Sequence, residues 1–149
     1  MSRESRLTAG VLLTLMPAVV YGEASFLSLL VGDPAYVQNR LRQNLWRAGH
    51  AHGGVLLILS LITLRSVDEA RLPDGIKRVV CHSIPVAVIL LPAAFFLSVL
   101  SPEASEANAL IYFAYVSAVS LAASLLLLGI GLIRSGRARR GGAQVGTDP

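Results

Sequence analysis

Four apolar runs, at 7–31, 48–67, 79–100 and 107–133, occupy most of the 149 residues and leave room for little beyond short connections. Each is long enough to cross a hydrocarbon core ~30 Å thick at about 1.5 Å of rise per residue. A lipid-exposed segment must satisfy its own backbone hydrogen bonds, so each run reads as a helix. The links are short, which makes neighbouring helices antiparallel. The expected fold is therefore all-α: an up-down four-helix transmembrane bundle forming a single domain over 1–136. Composition agrees. Mean hydropathy is +0.62 and charged residues make up 15%, against about 25% in a soluble domain. The single cysteine, Cys81, allows no intramolecular disulfide.

The first run has a rival reading. Arg3 and Arg6 followed by an apolar stretch resemble a signal peptide, with Gly22-Glu23-Ala24 as a small-x-small cleavage site. The run nevertheless continues through Ser25 to Val31, which favours an uncleaved helix.

Lysine and arginine set the orientation. Ten of them (Arg3, Arg6, Arg65, Arg71, Lys77, Arg78, Arg134, Arg137, Arg139 and Arg140) lie on the side of the two termini and the second loop. Three (Arg40, Arg42 and Arg47) lie on the other. This places both termini in the cytoplasm and the loops at 32–46 and 101–106 outside. The net charge of +4 is concentrated beside the ends of the apolar runs, where it serves topology and anionic-lipid contact. No nucleic-acid partner is expected. In the first outer loop Val37, Leu41 and Leu45 recur every four residues behind Asp33-Pro34, an N-cap followed by a first-turn proline. That pattern predicts a short amphipathic helix on the outer surface, ending near Trp46 as an interfacial anchor. A plain connector is the alternative. Residues 137–149 are basic, then glycine-rich and polar, and a disordered tail is expected there.

Titratable residues at membrane depth cost several kcal/mol unless paired or hydrated, so they are functional candidates. Glu23 falls ~12 Å and His52 ~7 Å below the outer surface, with His50 shallower and Tyr112 and Tyr115 within ~8–12 Å of it. These five residues form a candidate polar site in the outer leaflet, with Glu23 and His52 as its core and as candidate metal ligands. His50 and His52, two residues apart, point ~200° away from each other on a regular helix. They cannot both bind one ion unless the glycine-rich segment unwinds. Gly49 and Gly53 form a small-xxx-small face for close helix packing. His82 belongs near the inner interface, ~20 Å or more from His50 and His52, which argues against a haem held between them. Pro85 and Pro92 free the carbonyls of Cys81 and Val88 in the third helix. Ser117, Ser120 and Ser124, with Ala118 and Ala122, are close-packing positions on the fourth.

The segment Arg47-Ala-Gly-His50-Ala-His52-Gly-Gly resembles one found in small uncharacterised four-helix membrane proteins of high-GC bacteria. That resemblance implies a bacterial cytoplasmic (inner) membrane protein but no activity. Its Arg-x-x-His-x-His core is also similar, over about ten residues, to the haem-ligating second helix of haem-copper oxidases, which points toward a metal or haem. Three roles follow. The chain could bind a transition metal or haem at Glu23 and His52, since imidazole suits iron, copper and zinc. As a homodimer it could carry protons or ions through a glutamate–histidine relay. It could also be a non-catalytic subunit of a larger membrane complex. No phosphate loop, nucleophile elbow, paired-cysteine site or dinucleotide fingerprint is present in the sequence, so an enzyme is not the favoured class.

Overall fold

A computed structural model describes residues 3–144, and among these the chain is helical with no strand. The helices are α1 (Arg3–Gly32), α2 (Pro34–Gln38), α3 (Arg40–Ser66), α4 (Asp74–Ser98) and α5 (Tyr112–Gln144), with short 3-10 turns at Val67–Glu69 and Ala109–Ile111. Four segments are long and apolar enough to cross a membrane: Ser5–Gly32, Arg40–Glu69, Asp74–Ser98 and Ala109–Ala138.

The connection between the first two long helices differs from expectation. Asp33 does cap a helix, accepting from the backbone N–H groups of Ala35 (3.0 Å) and Tyr36 (3.2 Å) with Pro34 in the first turn. That helix stops at Gln38. Asn39 breaks the chain and at once restarts it, its side-chain oxygen accepting from Arg42 N–H at 3.0 Å. No proline or glycine interrupts residues 40–48, so α3 begins eight residues before the apolar run. Leu41, Leu45 and Trp46 therefore belong to the first turns of the long helix α3, not to a separate short helix. The four-residue period was real, but it continues the long helix. At the other end α5 runs through residues 137–144, where composition suggested disorder. The rest of the expected tail, 145–149, lies outside the described residues.

Contacts fix the helix directions. Val19, Gly22 and Phe26 of α1 meet Gly54, His50 and Trp46 of α3 in reverse order. Trp46, Gly49 and Gly53 of α3 meet Phe96, Phe95 and Pro92 of α4, again reversed. Ser83 of α4 meets Ser124 of α5 at 2.6 Å, while Asn108 at the start of the α5 segment holds Ser98 at the end of α4. The helices thus alternate in direction, and the first and last described residues lie at one end. Packing runs α1 on α3, α3 on α4 and α4 on α5. One apolar cluster joins Leu12, Leu56, Leu57, Val88 and Leu91; a second, at the end holding the termini, joins Val67, Ala70, Val80, Ile84 and Leu128. Much of the apolar surface faces outward, Val31 being 83% exposed and Val20 73%. Such a surface suits hydrocarbon, not water.

Polar bonds tie the connections. Asn39 donates from Nδ2 to the carbonyls of Pro102 (2.8 Å) and Ala104 (3.0 Å), joining the loop after α1 to the loop after α4. Gln43 donates to the carbonyls of Tyr36 and Val37, both at 2.8 Å, covering the open end of α2. At the end holding the first and last described residues, Arg71 N–H donates to Gly131 O at 3.0 Å.

The two glycines of α3 face α4 at different distances. A Cβ on Gly49 would stand 3.2 Å from Phe95 Cβ, the Phe96 ring and Pro92 O, whereas one on Gly53 would meet Pro92 Cγ at an ordinary 3.5 Å. Gly49→Val is expected to cost about 1–3 kcal/mol by overpacking. Gly53→Ala is expected to be neutral or stabilising by up to ~1 kcal/mol, through helix propensity. Thermal unfolding of the two variants in detergent, followed by helical circular dichroism, checks the contrast.

Candidate functional site

The site starts from the antiparallel crossing of α1 and α3. Gly22 has no side chain, so the His50 ring lies against it; a Cβ there would stand 3.0 Å from Nδ1 and 3.2 Å from Cε1. That close approach delivers His50 Nε2 to the next residue of α1, and Glu23 Oε2 lies 3.0 Å away. Phe26, one turn further along α1, packs edge-on to the imidazole at 5.3 Å. The two partners differ in exposure. The His50 side chain is 18% exposed, whereas that of Glu23 is 77% exposed. The pair thus has a shielded base and an open acid.

An aromatic wall stands beside the pair, toward the start of α3. Phe26, Trp46 and Phe96 pack with centroids about 6 Å apart, and Tyr36 sits 5.8 Å from Trp46. Trp46 Nε1–H donates to Phe96 O at 3.2 Å. The Arg42 guanidinium lies 4.1 Å above the Trp46 ring, a cation–π contact. Trp46, half-buried, thus ties α3 to α4 at this end of the helices. Two open cavities flank His50, each about 360 Å³. One is an apolar cleft among α1, α3 and α4, bounded by Val19, Gly22, Leu57 and Pro92. The other holds Glu23, Leu27, Leu30 and Arg47.

The other candidates lie elsewhere. His52 is exposed; its Nδ1 is 2.7 Å from Ala48 O of its own helix and its ring is 5.6 Å from Phe95. Glu23 thus meets His50 and not His52. The reason is the ~200° between residues two apart on an unbroken helix: α1 docks on the His50 and Gly54 face, and His52 is turned toward α4. Tyr112 and Tyr115 are exposed on α5, their rings 6.2 Å apart. They do not join Glu23, because α5 packs on α4. His82 is at the opposite end of the helices, lining a cavity of about 180 Å³ with Ser5, Thr8, Lys77, Arg78 and Cys81. Among the described residues, no three of His, Cys, Asp and Glu gather as a metal would require. Glu23 and His50 offer two ligands.

Sequence reasoning missed Gly22 as a contact, having noted it only in the rival cleavage-site reading, and missed the aromatic wall. The helical spacing of Phe26, three residues after Glu23, was the available signal. No protein-family model, curated protein or solved structure matches the chain.

Tyr36, between α1 and α3, is fully buried, and its hydroxyl has no hydrogen-bond partner among the described residues. Burial pushes its phenol above the ordinary 10.0, with Arg47 and Arg42 pulling the other way. The folded chain therefore holds this proton where the unfolded chain has lost it. The resulting stability is intact below about pH 10 and falls as pH rises through the folded value. Tyr36→Phe removes an unpaired buried hydroxyl and is expected to be neutral or stabilising by about 1 kcal/mol, with a flatter alkaline limb. Tyr36→Ala is expected to cost about 3–5 kcal/mol by analogy with other large aromatic truncations. Thermal melts across an alkaline pH series distinguish the two outcomes.

Proposed function

We propose that the chain is a multi-pass protein of a bacterial cytoplasmic membrane, a four-helix bundle with both termini in the cytoplasm, that exchanges protons at its outer side through Glu23 and His50. Helix length and the ten-to-three lysine and arginine asymmetry support the placement. The observation that carries the functional reading is the 3.0 Å contact between a shielded imidazole and an open carboxylate. Glu23 is nine residues from the end of α1 at Gly32, or about 13 Å along the helix. A carboxylate at such depth is costly unless it is paired, hydrated or covered. His50 pairs one oxygen. A proton reaching the open carboxylate can pass along the contact to Nε2, and the Gly22 backbone and Phe26 ring shield the imidazole that receives it.

One chain supplies only this first step. Onward transfer calls for groups from a second copy, and α1 has the surface for one: only 6% of its most apolar window is buried, against 33% in α3 and in α4. The activity proposed is therefore proton-coupled transport by a dimer. The test uses the purified full chain in liposomes with a pH-sensitive dye inside and an imposed pH gradient. Wild type is expected to carry protons, with Glu23→Gln and His50→Ala slowing the flux tenfold or more and His52→Ala leaving it unchanged. Wild-type flux no faster than empty liposomes removes the reading.

The open oxygen of Glu23 favours one second reading. Two copies meeting along α1 would bring two glutamates and two histidines together, a set that suits zinc, copper or iron. Elemental analysis of gently purified protein is then expected to find close to one metal per two chains, lost in Glu23→Gln and in His50→Ala. Metal-free wild type would remove this alternative.

A further inference from the structure

At the end opposite the Glu23–His50 pair, the connection between α3 and α4 crosses to α5. Leu72 rests so closely on Gly131 that a Cβ there would stand 2.6 Å from Leu72 Cγ, and Arg71 N–H donates to Gly131 O at 3.0 Å. These two contacts hold Arg71 beside a helix some sixty residues away in sequence. Arg134 and Arg137 are three apart on α5 and so share a face. Together with Ala138, the three arginines line an open groove of about 640 Å³. All three are exposed, and their guanidinium groups make no hydrogen bond or ion pair with other described residues. An adjoining groove places Glu69 near Arg71 and Ser135, so one carboxylate offsets part of the charge. Like charges clamped side by side repel unless an anion lies between them.

We infer that this groove binds the phosphate of an anionic lipid headgroup. Guanidinium groups recognise phosphate through paired N–H donors. A free phosphate has the same headgroup chemistry, but the exposed Ile130 and Ile133 lie just before Arg134 on α5, and acyl chains would cover such apolar surface. Basic pockets between helices on the cytoplasmic side favour anionic lipids for the same reasons. The inference rests on the membrane placement proposed above and is independent of proton exchange.

The test mixes the full chain, in neutral detergent, with phosphatidylglycerol or phosphatidylcholine and counts retained lipid by native mass spectrometry. Wild type is expected to prefer phosphatidylglycerol at least tenfold. Replacing Arg71, Arg134 and Arg137 together by Gln is expected to weaken phosphatidylglycerol binding by about fivefold per arginine, on the order of a hundredfold in all. The control triple Arg3→Gln, Arg6→Gln and Arg78→Gln makes the same charge change at the same end and should bind as wild type does. Gly131→Ala, which displaces Leu72 without altering any charge, should weaken the preference while leaving helical content intact. Equal retention by the groove variant and wild type, or equal loss in both triples, overturns the site. Complete displacement by excess inorganic phosphate overturns the lipid as its ligand. Failure of the membrane placement would show separately, as a chain that stays dispersed without detergent.

Discussion

The architecture depends on backbone approaching side chain at two glycines. Helices whose outward faces are as apolar as their packed ones are distinguished at their contacts by close packing and hydrogen bonds. Gly49 lets α3 reach the carbonyl of Pro92 and the rings of Phe95 and Phe96, which makes the α3–α4 contact the trunk of the molecule. Gly22 does the same for α1, where the group that comes close is the His50 ring. A glycine inside a helix costs up to about 1 kcal/mol relative to alanine. That cost is offset where the missing side chain admits a neighbour, as at these two positions. The Glu23–His50 contact follows directly, since Glu23 is the next residue after Gly22.

α1 is bound to the trunk more lightly than α4 is. Its attachment rests on Leu12, on Val19 against Gly54, on the Gly22–His50 contact and on Phe26 in the aromatic wall. The wall covers the imidazole and leaves the carboxylate open. In a low-dielectric setting an open carboxylate oxygen is among the costliest polar atoms a helix can present. Under the proposed membrane placement, water, a headgroup or a second chain would meet it, and the unburied face of α1 surrounds that place.

The sequence made the four long apolar helices legible because length and hydropathy are local properties. The Asp33 cap was legible for a similar reason: an aspartate before a proline has one good use at a helix start. Where α3 begins was not, because the period of Val37, Leu41 and Leu45 is the same in a surface helix and in the first turns of a spanning one. What decides between them is Asn39, whose side chain both restarts the helix and reaches the carbonyls of Pro102 and Ala104 in the other loop. That second role exists only after folding. The site shows the same division. Glu23 and the histidines stood out by chemistry, and the divergence of His50 and His52 was legible from helix geometry. Which of the two meets Glu23 depends on how α1 and α3 rotate against each other. Gly22 and Gly54 settle that rotation through contacts distant in sequence. The tyrosines were grouped with Glu23 by depth alone, and depth says nothing about which helix packs on which.

These differences in attachment bear on how the proposed proton exchange would act. Trp46 joins α3 to α4 through the Phe96 carbonyl, Gly49 locks the same two helices, and Asn39 binds the start of α3 to the loop that follows α4. The trunk is thus held at several independent points near the site. α1 meets α3 there through one polar side-chain contact, Glu23–His50, and a few apolar ones. A change in where the proton sits on the Glu23–His50 pair alters the one strongly charge-dependent contact that α1 makes with His50, and leaves the trunk contacts unchanged. The coupling expected of such a site is therefore between protonation and the seating of α1, whose free face is also the one available to a second copy.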